Sequence, residues 1–116
     1  ARDRVAEGLR ELSGRVEQQH YAVGGIQETL DQLRQGNVET LLVQKGLERT
    51  GVECTQCGVH LDRKAESCPY CGGATRDGVD LVESMVRQAA AQDARILFTG
   101  AGDVGRYDGV GALLRF

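Results

Sequence analysis

The sequence has no tryptophan, and aromatic residues make up only 4% of it. Its core must therefore be aliphatic. No apolar run approaches the ~20 residues of a membrane span, which argues against a membrane-inserted segment. A surplus of basic residues is missing too. Fourteen Lys and Arg stand against 17 Asp and Glu, giving a formal net charge of −3. That balance argues against a broad electrostatic nucleic-acid footprint and favours a protein surface as partner. Cysteine is scarce, with four in the chain. Nothing resembles a signal peptide, and no internal repeat or long low-complexity segment is found. With 116 residues and an ordinary 41% hydrophobic content, the chain suits one modest domain plus a small insertion.

The four cysteines are not scattered. They form two Cys-x-x-Cys-Gly knuckles, Cys54-Thr55-Gln56-Cys57-Gly58 and Cys68-Pro69-Tyr70-Cys71-Gly72. Two residues between cysteines let both sulfurs of a pair reach one ion. Residues Gly58 to Ser67 can form a hairpin that lays the second pair over the first. The arrangement is that of a zinc ribbon, with Cys54, Cys57, Cys68 and Cys71 as the four soft ligands of a tetrahedron. A glycine after each pair suits a turn of positive φ whose amides point at thiolate sulfur. One structural zinc is the expectation, and four thiolates with one zinc would carry the net charge to about −5. Two disulfides or a redox dithiol are the alternatives. Disulfides belong to secreted chains, and a thioredoxin-type centre uses one Cys-x-x-Cys at a helix start. A shell of four thiolates leaves no position for water, so no catalysis is assigned to the metal. His60 is read as a hairpin-tip residue rather than a ligand.

Val5, Leu9, Leu12 and Val16 recur at helical spacing, with Arg10, Glu11, Arg15 and Glu17 between them. They predict an amphipathic helix from about Asp3 to Gln19. The helix begins almost at the first residue, as it would in a fragment of a larger protein. Gly24-Gly25 breaks the pattern. Ile26, Leu30 and Leu33 mark a second helix, with Gly36 as a C′ residue. Val38 to Gln44 reads as a strand buried on both faces. Lys45 to Glu53 is expected to lead out to the ribbon and Gly72 to Gly78 to lead back. Asp80 is a candidate N-cap for a helix reaching about Gln92. Arg95 to Thr99 is a strand, Gly100 to Gly109 a loop, and Val110 to Phe116 a closing strand. Strands joined by helices predict an α/β fold with a sheet between helix layers. The ribbon interrupts one crossover, and it needs a metal because few residues around it are apolar.

The run Tyr21-Ala22-Val23-Gly24-Gly25-Ile26-Gln27-Glu28-Thr29-Leu30, followed by Gly36-Asn37-Val38-Glu39-Thr40-Leu41-Leu42-Val43, carries a resemblance. So do the paired cysteines and the closing Gly109-Val110-Gly111-Ala112-Leu113-Leu114-Arg115-Phe116. In order and spacing these resemble the C-terminal domain of archaeal and eukaryotic class-1 peptide chain release factors. The resemblance implies an α/β/α sandwich related to the kink-turn-binding ribosomal proteins, with a zinc-ribbon minidomain inserted at about residues 46–78. It implies a domain over residues 21–116, with residues 1–20 forming a helix that links to an upstream domain. The implied role is docking of a translational GTPase, of a ribosome recycling ATPase, or of both, and association with the ribosome through the full-length protein. The implied location is cytoplasmic. No enzyme activity is expected of this chain, because it contains no Gly-Gly-Gln and no Asn-Ile-Lys-Ser-like decoding motif.

Other motifs are weaker. Gly100-Ala101-Gly102-Asp103-Val104-Gly105 fits Gly-x-Gly-x-x-Gly, but too few residues follow to build the βαβ unit of a dinucleotide site. His20 reads as a helix-end residue, and Asp103 and Asp108 as solvated loop acids. Asp62-Arg63-Lys64 reads as a solubilising charge cluster at the ribbon tip. The stripe on the first helix reads as packing, with dimerisation as a minor alternative. Two further functions compete: an RNA-binding module of the kink-turn-reader type, and an enzyme built on the glycine-rich loop or a dithiol.

Overall fold

The computed structural model describes residues 2–17, 21–100 and 107–115. At its centre is β2 (Val38–Gln44), in which Leu41, Leu42 and Val43 are all buried. A strand with apolar side chains on both faces is stable only between two covers, and both are present. β2 pairs in parallel with β6 (Arg95–Thr99), Leu41 opposite Ile96 and Leu42 opposite Leu97. On its other edge it pairs antiparallel with β7 (Val110–Leu114), which in turn pairs antiparallel with β1 (Ala22–Gly24). The sheet order is β1-β7-β2-β6.

The alternation of the strand decides which helix covers which face. Leu42 and Leu113 point to α1 (Arg2–Glu17), where they pack with Leu12, Leu9 and Val16. Leu41 and Val43 point the other way, into a larger cluster with Ile26, Leu30 and Leu33 of α2 (Ile26–Arg34) and Leu81, Met85 and Ala89 of α3 (Leu81–Ala91). Both caps are where the sequence puts them. Gly36 N–H donates to Leu33 O and Asn37 N–H to Gln32 O, the paired closure of a Schellman turn. The Asp80 side chain accepts from Glu83 N at 3.1 Å and starts α3.

Two segments differ from the sequence expectation. The break at Gly24-Gly25 follows a short strand rather than replacing it: β1 runs through Ala22–Gly24 between Tyr21 at φ 59 and Gly25 at φ 102. The segments read as connectors to the ribbon are strands of a second sheet. β3 (Thr50–Cys54) lies between β4 (His60–Leu61) and β5 (Thr75–Asp80), all antiparallel. Thr50 pairs with Asp80 and Cys54 with Thr75, so the base of the ribbon is zipped from end to end. Gly51, Asp77 and Gly78 hid these strands, because strand propensity is low for glycine and aspartate. Gly51 is there for space. A Cβ at this position would lie 2.2 Å from Leu61 O and 2.8 Å from Leu81 Cδ1.

Among the described residues, no helix is long and apolar enough to cross a membrane. The closing residue Phe116, the end of the predicted first helix with His20, and Ala101 to Gly105 of the glycine-rich motif with Asp103 lie outside the described residues.

Candidate metal centre

Each knuckle is built by the same backbone device. Gly58 N–H donates to Cys54 O at 3.0 Å, and Gly72 N–H donates to Cys68 O at 2.8 Å. Both glycines hold positive φ, 81° and 77°, which a residue with a Cβ adopts only at a cost. The chain then returns on itself: Cys54 N–H donates to Val59 O at 2.9 Å and Cys68 N–H to Gly73 O at 2.8 Å. The turn leaves the inner amides facing sulfur. Cys54 Sγ accepts from Gln56 N at 3.4 Å and from Cys57 N at 3.3 Å. Cys68 Sγ accepts from Tyr70 N, and Cys71 Sγ from Gly73 N, both at 3.4 Å.

The two knuckles bring all four sulfurs within 4.8 Å of one another. Cys54 Sγ is 3.4 Å from Cys71 Sγ, and Cys57 Sγ is 3.7 Å from Cys68 Sγ. Four sulfurs each ~2.3 Å from a central ion form a tetrahedron with edges of about 3.8 Å, so the set fits such an ion with small adjustments. All four cysteines are free. Electrostatics point the same way. The Cys57 amide, opposed by burial and aided by the Gln56 amide, brings the Cys54 thiol down to about 6. Burial pushes the Cys68 thiol up, but the Cys71 and Tyr70 amides outweigh it and the net direction is down. The Gly73 amide pulls on Cys71, yet the neighbouring sulfurs, led by Cys54, drive that thiol up to about 12. The cluster thus takes the first negative charge readily and resists the last. A cation at the centre removes that conflict. These four residues could hold a metal ion.

Sequence reasoning missed the network behind the centre. His60 is not at a free tip. It pairs with Glu53 across β3 and β4, and its Nε2 lies 3.2 Å from Glu53 Oε2 and 3.3 Å from Ser84 Oγ on α3. A carboxylate only accepts, so Nε2 carries the proton and donates. Glu53 is also held by Arg76 at 2.8 Å, and that bond chiefly lowers its pKa. Burial lowers the His60 pKa, with Glu53 opposing. Ser84 and Glu53 both use Nε2, whereas a nucleophile-base-acid relay needs opposite ring nitrogens. The group therefore fastens the ribbon to α3. From α2, Gln27 Nε2 donates to His60 O at 3.2 Å and Gln27 Oε1 accepts from Asp62 N at 2.9 Å. Its amide occupies the outer edge of β4 as a neighbouring strand would. Asp62 thus begins the charge run against α2, while Arg63 and Lys64 are exposed. A signal was present only in hindsight: Gln27 and Ser84 are polar residues within the apolar stripes of two helices. Asp108 is exposed, at φ 57 in the turn before β7.

No family model matches the sequence, and no curated protein matches it. Solved structures do match. One is the C-terminal domain of the peptide chain release factor from Methanosarcina mazei, with a TM-score of 0.67 at 20% identity, covering 97% of this chain and 81% of that one. Another is the archaeal translation termination factor, with a TM-score of 0.59 at 14% identity, covering 98% of this chain and 26% of that one. The chain has the fold of these release-factor domains, a mixed α/β architecture with two sheets.

Proposed function

We propose that this chain is a partner-docking domain of a release-factor-like protein that acts in translation termination or ribosome rescue in the cytoplasm. The observation that carries the reading is the fold likeness to a release-factor C-terminal domain over 97% of the chain. The ordered sequence motifs from Tyr21 to Phe116 agree with it. In this reading the domain, over residues 21–116 with its ribbon insertion at about 46–78, docks a translational GTPase, a recycling ATPase, or both. In the same reading α1, which covers one face of the main sheet, also leads to an upstream domain. Hydrolysis of the peptidyl-tRNA ester belongs to another part of a longer protein. The same reading keeps the relation to the kink-turn-binding ribosomal fold that the resemblance implies.

Zinc is the ion we assign to Cys54, Cys57, Cys68 and Cys71. Four thiolates form a soft, closed shell that suits zinc and leaves no site for a reacting water, so the role is structural. Elemental analysis of the purified chain is expected to give one zinc per molecule.

The function is tested by pull-down of a translational GTPase with the chain and by cosedimentation of the chain with ribosomes. Retention of either partner is the expected result. A folded, zinc-loaded chain that retains neither overturns the proposal.

A further inference from the structure

The four cysteines are not equally protected. Cys54 and Cys68 are 1% and 3% exposed, Cys57 is half-buried, and Cys71 is exposed. Its neighbours give no cover: Tyr70 projects into solvent at 60% exposure, and Gly72 has no side chain. Oxidation of thiols by peroxide follows thiolate character and access. In a tetrad whose sulfurs all share one ion, access is the quantity that separates them. A second observation names the partner. Cys54, on the other knuckle, has its sulfur 3.4 Å from that of Cys71, while the Cys68 sulfur sits against Cys57 at 3.7 Å.

We propose that Cys71 is the peroxide-reactive member of the tetrad and that its oxidation leads to a Cys54–Cys71 disulfide that discharges the metal. The inference rests on the zinc reading given above. The Cys71 thiolate attacks one oxygen of hydrogen peroxide. The O–O bond breaks, leaving a sulfenic acid on Cys71 and releasing hydroxide. The Cys54 thiolate then attacks Cys71 Sγ, the S–S bond forms, the S–O bond breaks, and a second hydroxide leaves. The two sulfurs together give up two electrons to peroxide, and solvent protonates both hydroxides to water. Closing 3.4 Å, or the ~3.8 Å edge of an occupied tetrahedron, to a bond of ~2.05 Å needs a shift of about 1.4–1.8 Å, which two turn-borne side chains can share. The ion is then left with two sulfurs of its four, and the ribbon loses its staple.

The test uses the zinc-loaded chain and aliquots of hydrogen peroxide below one equivalent. Metal content is read first, released zinc is followed with a chromogenic chelator, and thiols are mapped by alkylation and peptide mass spectrometry. The expected result is one zinc released and one Cys54–Cys71 disulfide formed for each peroxide consumed, with dimedone trapping the sulfenic acid on Cys71. A chain purified without metal overturns the zinc reading and this inference together. A zinc-loaded chain whose first oxidised residue is not Cys71, whose disulfide joins other cysteines, or which keeps its zinc after that disulfide forms overturns this inference alone. Cys71→Ser is expected to slow zinc release at least tenfold. If that variant does not fold, the mapping on the unsubstituted chain decides the question.

Discussion

Single residues set the tolerances of this fold, and two glycines show opposite signs. Gly14 lies inside α1, and a Cβ there would meet nothing within 4 Å. Its only effect is the entropy that glycine loses in a helix. Gly14→Ala is therefore expected to stabilise the chain by about 0.5–1 kcal/mol. At Gly51 the same methyl group would lie 2.2 Å from a backbone oxygen, Leu61 O. A backbone atom in a paired strand cannot swing away as a side-chain end can. Gly51→Ala is expected to cost about 1–3 kcal/mol and to loosen β4 from β3. Urea unfolding of both variants checks the pair, and equal effects at the two positions would refute the steric account. Gln27 is the residue-scale counterpart among polar groups. Gln27→Ala removes two hydrogen bonds to the edge of β4, at a cost of about 1–2 kcal/mol. Amide exchange at Asp62 is expected to rise with it, and an unchanged Asp62 amide would show that β4 does not depend on this cap.

Elements with a strong apolar signature were legible in the sequence, and those defined by distant pairing were not. Leu41-Leu42-Val43 read as part of a doubly covered strand, and Ile26, Leu30 and Leu33 as one face of a helix, and the structure has both. The knuckles were legible because metal-ligand spacing is local: both sulfurs of a pair and the glycine that turns the chain lie within five residues. Thr50–Cys54 and Thr75–Asp80 are strands only because each finds the other across the whole ribbon. Their glycines and charges carry no strand signal of their own. His60 was hidden for the same reason, since its partners Glu53 and Ser84 come from two other elements. That junction between ribbon and α3 should respond to pH. Burial, partly offset by Glu53, holds His60 below its ordinary 6.5 in the folded chain. The folded state therefore binds this proton more weakly than the unfolded chain does. The contribution of the junction is complete above pH 6.5 and is lost as pH falls through the folded value. Protons also compete for the sulfurs, so the comparison must be with a variant. His60→Gln is expected to flatten the decline in unfolding midpoint between about pH 7 and pH 5. Parallel slopes for the two proteins would remove His60 from the account.

At the scale of the whole molecule, two structures held by different contacts share one chain. The main sheet is held by two aliphatic clusters, one beneath α1 and one beneath α2 and α3. The knuckle cluster consists of Val59 and three of the cysteines themselves, Cys54, Cys57 and Cys68. With no ion on the four sulfurs, that cluster has one hydrocarbon side chain, together with thiols that resist sharing negative charge. Structural zinc contributes on the order of 10 kcal/mol or more to folding in small peptides, and nothing in the knuckles replaces it. The main sheet loses none of its own contacts. Chelation is therefore expected to strip amide protection from Cys54, Gly58, Cys68 and Gly72 while Leu41, Leu42 and Val43 stay protected. Between these limits lies the seam. Leu81 N–H donates to Arg49 O at 3.0 Å, tying the first turn of α3 to the residue just before β3. The Leu81 amide should thus be the first outside the ribbon to exchange faster. Circular dichroism before and after chelation is expected to show most of the helical signal retained. If that signal collapses with the metal, the seam is stronger than the two cores, and the ribbon is part of a single cooperative unit rather than a stapled appendage.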